Sequence, residues 1–327
     1  MKISKEKYQN LKKLVNEDGA IAALAIDQRG SMEKMMAKAN PGLNNLDGIG
    51  KFKELVSKEL TKYSSAILLD PIYGKKGIAA KDKNAGLIMS YEKTGYDEYE
   101  EGRLPKLIEA VSGLRLKEMG ANAIKVLLYY DCDESERIND IKKAWVERVG
   151  YEAEALGLPY FLEIINYDKE IADAKGLEYS KVRPKKVIES MKVFDDQRYK
   201  VDVLKVEAPV NMNYVEGFAE NEVLFSKKEA LKFFKDQSDA TRIPFIFLSG
   251  GVSAELFQET LKFARKAGST FNGVLCGRAT WSGAVEEFGK SEKDAQNWLQ
   301  STGKENIRSL NEVLKQTASS VFEKIEC

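Results

Sequence analysis

Three charged residues stand in the middle of apolar words of strand length: Lys125 in NAIKVLLYY, Glu163 in YFLEII and Lys205 in VDVLKVE. Side chains alternate across a strand, so Val203, Lys205 and Glu207 share one face while Leu204 and Val206 share the other. Leu204 and Val206 suit a face packed on helices, which turns Lys205 to the inner side. The same parity turns Glu163 inward between Leu162 and Ile164, and Lys125 inward between Ile124 and Val126. For any one of them, a structural ion pair or plain surface exposure is the ordinary explanation, because charges are rarely buried without a partner. Three aimed at one axis are harder to explain in that way. A buried ion-pair network stabilises a core no better than apolar packing does, whereas catalysis has a direct use for these groups.

That use is carbonyl chemistry on an amine. A Schiff base forms from the neutral amine, and burial with neighbouring cations is what makes a lysine reactive. Lys125 and Arg278 are the neighbours expected beside Lys205. A mobile proton carrier is then needed at the hydroxyls, the carbinolamine and the enamine carbon, and Glu163 fits that role. The chain has no histidine, which removes serine triads, cysteine–histidine pairs and nearly all zinc hydrolase sites. Polarisation of a carbonyl by zinc, whose usual site relies on histidine, is disfavoured for the same reason. Magnesium needs only oxygen ligands, but no spacing argues for it. No metal and no cofactor are expected.

An anion site is expected at the far end of the chain. LSGGVSAE (248–255) and CGRATW (276–281) follow the last two strand words, where many barrels bind phosphate with loop amides and a helix N-terminus. Leu248, Ser249, Gly250 and Gly251 form one arm. Glycines permit close backbone approach, Ser249 offers a hydroxyl, and Arg278 after Gly277 offers a charged fork. The first strand word ends AIDQRGS, placing Asp27, Gln28 and Arg29 at the same rim. Asp27 could bind a substrate hydroxyl or hold a lysine. Arg29 could meet a second phosphate or be a solvated rim residue.

The elements that must hold these groups recur in a simple rhythm. Strand-like runs occur at 20–26, 65–70, 86–90, 122–130, 160–165, 201–207, 244–250 and 273–278. Helical spacing is found at 51–63, 103–119, 139–156, 184–199, 226–239 and 253–268, with a pair near 283–300 and 304–324 and an N-terminal helix near 4–17. Eight strands alternating with helices predict an α/β chain closed as a (β/α)8 barrel, in preference to an open doubly wound sheet with fewer strands. With no linker or shift in composition, one domain over 1–327 is expected. The stretch 70–102, rich in Gly, Lys and Tyr, is the expected irregular insertion near the mouth.

Composition narrows the remaining classes. Across 327 residues, 51 basic side chains balance 51 acidic ones, which argues against a nucleic-acid surface. No apolar run approaches a membrane span, and MKISKEKYQN lacks the apolar core of a signal peptide. A cytoplasmic protein with no membrane partner is expected. Cys132, Cys276 and Cys327 are too few and too scattered for a disulfide framework. A symmetric homo-oligomer is expected from general frequency.

At these words the chain becomes recognisable. ALAIDQRGS, NAIKVLLYY, YFLEII, VDVLKVEAP, FIFLSGGV and GVLCGRATW, in this order and spacing, resemble the tagatose 1,6-bisphosphate aldolases of the bacterial lactose and galactose route. The resemblance implies a (β/α)8 class I aldolase that cleaves a phosphorylated ketose to dihydroxyacetone phosphate and glyceraldehyde 3-phosphate. It further implies Lys205 as the Schiff-base lysine, Glu163 as the proton carrier, and Asp27, Gln28 and Lys125 as substrate contacts. Leu248, Ser249, Gly250, Gly277 and Arg278 would hold the phosphate next to the ketone. Weak discrimination between epimers is implied too, with fructose 1,6-bisphosphate as a second substrate. Two other readings stay open here: a class I lyase for another ketose phosphate, and a sugar-phosphate sensor using the same pocket. A sensor would be marked by a damaged nucleophile, yet Lys205 and Glu163 are both in place.

Overall fold

A computed structural model describes residues 1–93 and 101–327. Eight parallel strands close into a barrel in sequence order: β1 Ile21–Ala25, β2 Ala66–Leu69, β3 Gly86–Ser90, β4 Ala123–Tyr130, β5 Tyr160–Asn166, β6 Val203–Val206, β7 Phe245–Leu248 and β8 Gly273–Cys276. Closure between β1 and β8 depends on Gly273, which has φ 127°. A Cβ there would fall 2.0 Å from the Ile21 carbonyl oxygen, so only glycine lets the two strands meet.

The parity read from the sequence is the parity of the barrel. Leu204, Val206, Ile124, Val126, Leu162 and Ile164 join the core between strands and helices. Ala23, Ala25, Ala66, Leu68, Ile88, Ala123, Phe161, Val203, Ile246 and Leu275 fill the lumen. Small alanines on β1, β2 and β4 face larger side chains from β5, β7 and β8, which lets the layers interdigitate as a packed core. The lower end is plugged by helix α1, Lys5–Lys12, and the C-terminal segment, through Leu11, Leu14, Val321 and Ile325. That leaves the carboxyl ends of the strands as the open face.

The helical layer follows expectation in kind and departs from it in extent. Helix α2 is Gly30–Ala39 and α3 is Leu46–Leu60, the latter starting earlier than expected because the Asn45 side chain caps the Gly48 amide at 2.9 Å. Within the expected irregular stretch, α4 is Lys75–Ala80, and positions 94–100 lie outside the described residues. Of 103–119, only α5, Gly113–Glu118, is α-helical; Pro105 interrupts it and Leu107 instead bridges to Glu92. Helix α6 is Glu136–Leu156 and α7 is Leu177–Phe194, which carries Pro184 inside it, not at its start. Helices α8, Lys227–Asp239, and α9, Ala254–Lys266, match closely. The last helices are shorter than read: α10 Arg278–Trp281, α11 Gly283–Lys290, α12 Glu292–Trp298 and α13 Lys304–Thr317. Among the described residues no helix is long and apolar enough to cross a membrane.

Candidate active site

One cavity of about 1040 Å³ opens at the carboxyl ends of the strands, and all twelve residues singled out from the sequence line it: Asp27, Gln28, Arg29, Lys125, Glu163, Lys205, Leu248, Ser249, Gly250, Gly251, Gly277 and Arg278. Its floor is a chain of buried charges. Lys205 Nζ donates to Glu163 Oε1 at 2.7 Å, and the other oxygen of Glu163 lies 3.0 Å from Lys125 Nζ. Lys125 Nζ also lies 2.7 Å from Asp27 Oδ2 and 2.9 Å from Glu92 Oε1. A lysine ammonium has three N–H donors, and Lys125 faces three carboxylates.

The two lysines are thus unlike. Burial opposes the charge on Lys125, but Asp27, Glu163 and Glu92 together raise its pKa well above the usual lysine value. It is a fixed cation. Lys205 has one carboxylate partner among the described residues, and that partner is shared. Two influences compete on Glu163: burial favours its neutral form, yet Lys125 and Lys205 hold its carboxyl below the usual range. Asp27 behaves likewise, with burial outweighed by Lys125, Lys205 and Arg29, which depress its pKa strongly.

Arg29 is neither solvated nor free. It is 5% exposed, and its Nη1 donates to the Glu92 carbonyl oxygen at 2.8 Å and its Nη2 to Glu92 Oε1 at 3.0 Å. Gln28 is held from beneath, where Lys53 pairs with Asp70 in full burial and donates to the Gln28 carbonyl at 2.8 Å. Asp70 in turn accepts from the Ile72 and Tyr73 amides at 2.9 and 2.8 Å. The rim after β1 is therefore fixed by the rim after β2.

At the opposite wall, Gly250 and Gly251 adopt φ of 61° and 81°, the left-handed region that favours glycine. Arg278 is exposed, and its Nη2 lies 3.3 Å from where a Cβ on Gly251 would stand. Among the described residues it has no acidic partner. Helix α9 begins beside this loop, with Ser253 accepting from the Leu256 amide at 3.2 Å. Loop amides, a helix start and a guanidinium without an acidic partner among the described residues are the kinds of donor that binding an anion requires.

Glu92 was missed from the sequence, although GLIMSYE continues the inward series Ile88, Ser90, Glu92 past the end of β3. The same alternation that identified Lys205 would have found it. Glu207 points inward as read, but its carboxylate turns to β5 and α7, accepting from the Asn166 amide at 2.9 Å and pairing with Arg183 at 3.5 Å. Outside the cavity, Asp131, Cys132 and Asp133 could together reach a metal ion. Lys186 already occupies that position as a cation, paired with Asp131, with Asp133 at 3.0 Å and with Asp168 at 2.9 Å.

Comparison with known proteins places this site in context. A family model described as DeoC/LacD family aldolase matches residues 21–283. The tagatose 1,6-diphosphate aldolase of Staphylococcus haemolyticus is 55% identical over 318 residues, covering 97% of this chain and 98% of that relative. The enzyme of the same name in Staphylococcus aureus is 54% identical over 321 residues, covering 98% of each. Among solved structures, fructose-bisphosphate aldolase from Plasmodium falciparum superposes with a TM-score of 0.68 at 15% identity, over 100% of this chain and 98% of that one. A Schiff-base-forming fructose-1,6-bisphosphate aldolase gives 0.59 at 15% identity, over 94% and 99%. At such identities the likeness is one of fold.

Proposed function

The chain belongs to the DeoC/LacD aldolase family, and from that premise we propose that it cleaves D-tagatose 1,6-bisphosphate by class I chemistry on Lys205, yielding dihydroxyacetone phosphate and glyceraldehyde 3-phosphate. The observation that carries this reading is the asymmetry of the two lysines. Lys125 is clamped as an ammonium by three carboxylates, while among the described residues Lys205 pairs with Glu163 alone, the group able to take its proton. Fructose 1,6-bisphosphate is the second substrate proposed, and lactose and galactose catabolism in the cytoplasm is the setting. A homo-oligomeric state is proposed with it, to be read by sedimentation velocity.

The steps run as follows. Glu163 takes a proton from Lys205, and the neutral amine attacks the C2 ketone to form a carbinolamine. Glu163 returns the proton to the departing hydroxyl, water leaves, and a protonated imine results. Removal of the C4 hydroxyl proton by Glu163 sends the C3–C4 bonding electrons into that imine; the aldehyde departs and an enamine remains. Protonation at C3 and hydrolysis of the imine release dihydroxyacetone phosphate and restore the amine. Lys125 and Asp27 orient the hydroxyls. The phosphate beside the ketone rests on Leu248, Ser249, Gly250, Gly251, Gly277 and Arg278, and Gln28 and Arg29 bound the opposite side.

The test is covalent trapping. The protein is incubated with dihydroxyacetone phosphate, reduced with borohydride and mapped by peptide mass spectrometry. An adduct on Lys205, lost together with turnover in Lys205→Ala, is expected. An adduct on Lys125 would overturn the roles, and no adduct despite measured binding would overturn the chemistry.

A further inference from the structure

Glu92 makes more contacts in the charged floor than any role so far requires. It is 4% exposed. Its Oε1 accepts from both Arg29 Nη2 at 3.0 Å and Lys125 Nζ at 2.9 Å, its Oε2 accepts from the Leu127 amide at 3.2 Å, and its carbonyl accepts from Arg29 Nη1 at 2.8 Å. The residue itself is pinned by the bridge to Leu107, with the next amide, Lys93, donating to the Lys106 carbonyl at 2.8 Å. One oxygen therefore lies between two cations that would otherwise repel each other.

We propose that Glu92 is a positioning residue for the aldol cleavage: it aims Lys125 and Arg29 into the cavity and sets the charge balance felt by Glu163. The inference rests on the reading of Lys205 and Glu163 given above. Among the described residues the floor pairs three cations, Arg29, Lys125 and Lys205, with three anions, Asp27, Glu92 and Glu163. Neutralising Glu92 leaves an excess of one positive charge in a buried site. That excess favours loss of a proton from Glu163, so the acid side of the activity profile moves down. The neutral amide oxygen left in place of Oε1 holds Lys125 and Arg29 less firmly than a carboxylate does, and the amide nitrogen in place of Oε2 cannot accept from the Leu127 amide; the two cations shift, which disturbs orientation in the transition state more than binding at the phosphate ends, because neither Gly251 nor Arg278 touches Glu92.

The experiment compares Glu92→Gln, Glu92→Asp and the parent protein by kcat and KM for tagatose 1,6-bisphosphate across pH. For Glu92→Gln, kcat falls about tenfold or more, as misplacement of reacting groups costs, and KM changes by less than about threefold. The acid midpoint moves down by about one pH unit, the size expected of one charge a few ångström away. Glu92→Asp keeps the charge and is expected to keep the parental midpoint while losing part of kcat through its shorter reach. A purely structural role would lower thermal stability in both variants without separating their midpoints. A Glu92→Gln midpoint equal to the parent's, or one shared with Glu92→Asp, overturns the proposal. If Glu92→Gln does not fold, the Glu92→Asp midpoint decides: a shift overturns the proposal and constancy with lowered kcat supports it. Borohydride trapping on the parent runs alongside, and failure to label Lys205 there would strike the underlying chemistry and not Glu92.

Discussion

Replacing Lys125 with methionine removes the one cation that serves three buried carboxylates at 2.7, 2.9 and 3.0 Å. Among the described residues Asp27, Glu92 and Glu163 are left with Lys205 and Arg29 as their cations, a net excess of one negative charge among buried groups. Removing one partner of a buried ion pair costs about 3–5 kcal/mol, and a protein can relieve that cost by binding a proton. The proton goes where it also satisfies burial, and Glu163 is a natural site, since burial already favours its neutral form and Lys125 is the first of the cations opposing it. If Glu163 takes about 3 kcal/mol of the loss, its pKa rises by about two units, at about 1.4 kcal/mol per unit. A protonated Glu163 cannot accept the proton of Lys205. Turnover, followed as dihydroxyacetone phosphate through a coupled reductase consuming NADH, is expected to fall about 100-fold relative to the parent on the acid side of both midpoints, the ratio that a rise of about two units implies, and far less where Glu163 is ionised in both proteins. The acid-side midpoint of kcat is expected about two pH units above the parent's. Lost turnover with an unmoved midpoint would refute the reasoning, because it would mean that Lys125 acts by shape or substrate contact and not through the charge of Glu163.

Gly251→Ala forces a side chain into φ 81° and places a methyl 3.3 Å from Arg278 Nη2; the strain is about 1–2 kcal/mol, and KM for the bisphosphate should rise about tenfold with kcat less affected. An unchanged KM would remove this loop from the phosphate site. Gly273→Ala should part β1 from β8, since its methyl would fall 2.0 Å from the Ile21 carbonyl; a loss of soluble protein, or a thermal midpoint lower by about 5 °C or more, is expected, and parental melting would contradict the closure described. Asp27 has a folded pKa depressed below its unfolded value of about 3.9, so its contribution to stability is present above about pH 4 and lost as pH falls through the lower folded value. Urea unfolding of the parent and of Asp27→Asn should therefore differ by a constant amount above about pH 5 and converge below about pH 4; a gap independent of pH would count against the depressed pKa.

Much of this site could be read along the chain because the deciding signal is local. Alternation within VLKVE, FLEI and AIKV depends only on strand geometry over a few residues, and it placed Lys205, Glu163 and Lys125 on the inner face. Glycines at 250 and 251 announced a place where backbone can approach an anion closely, and the eight apolar words announced the barrel that brings them to one rim. Boundaries were less legible where a cap or a proline decided them: Asn45 extended α3, and Pro105 withheld the first half of the helix expected at 103–119.

What only the folded chain decided is which charge meets which. Lys125 and Lys205 look alike in their strands, and their difference comes from Asp27 past the end of β1, Glu92 past the end of β3 and Glu163 on β5 converging on one ammonium, while among the described residues Glu163 alone reaches the other. Arg29 reads as a rim residue until Glu92, 63 positions away, takes two of its nitrogens. Such pairings follow from the closure and stagger of eight strands, a property of the whole barrel that no window of neighbouring residues contains. Side-chain direction is set by the nearest peptide planes, whereas charge state is set by everything within a few ångström in space.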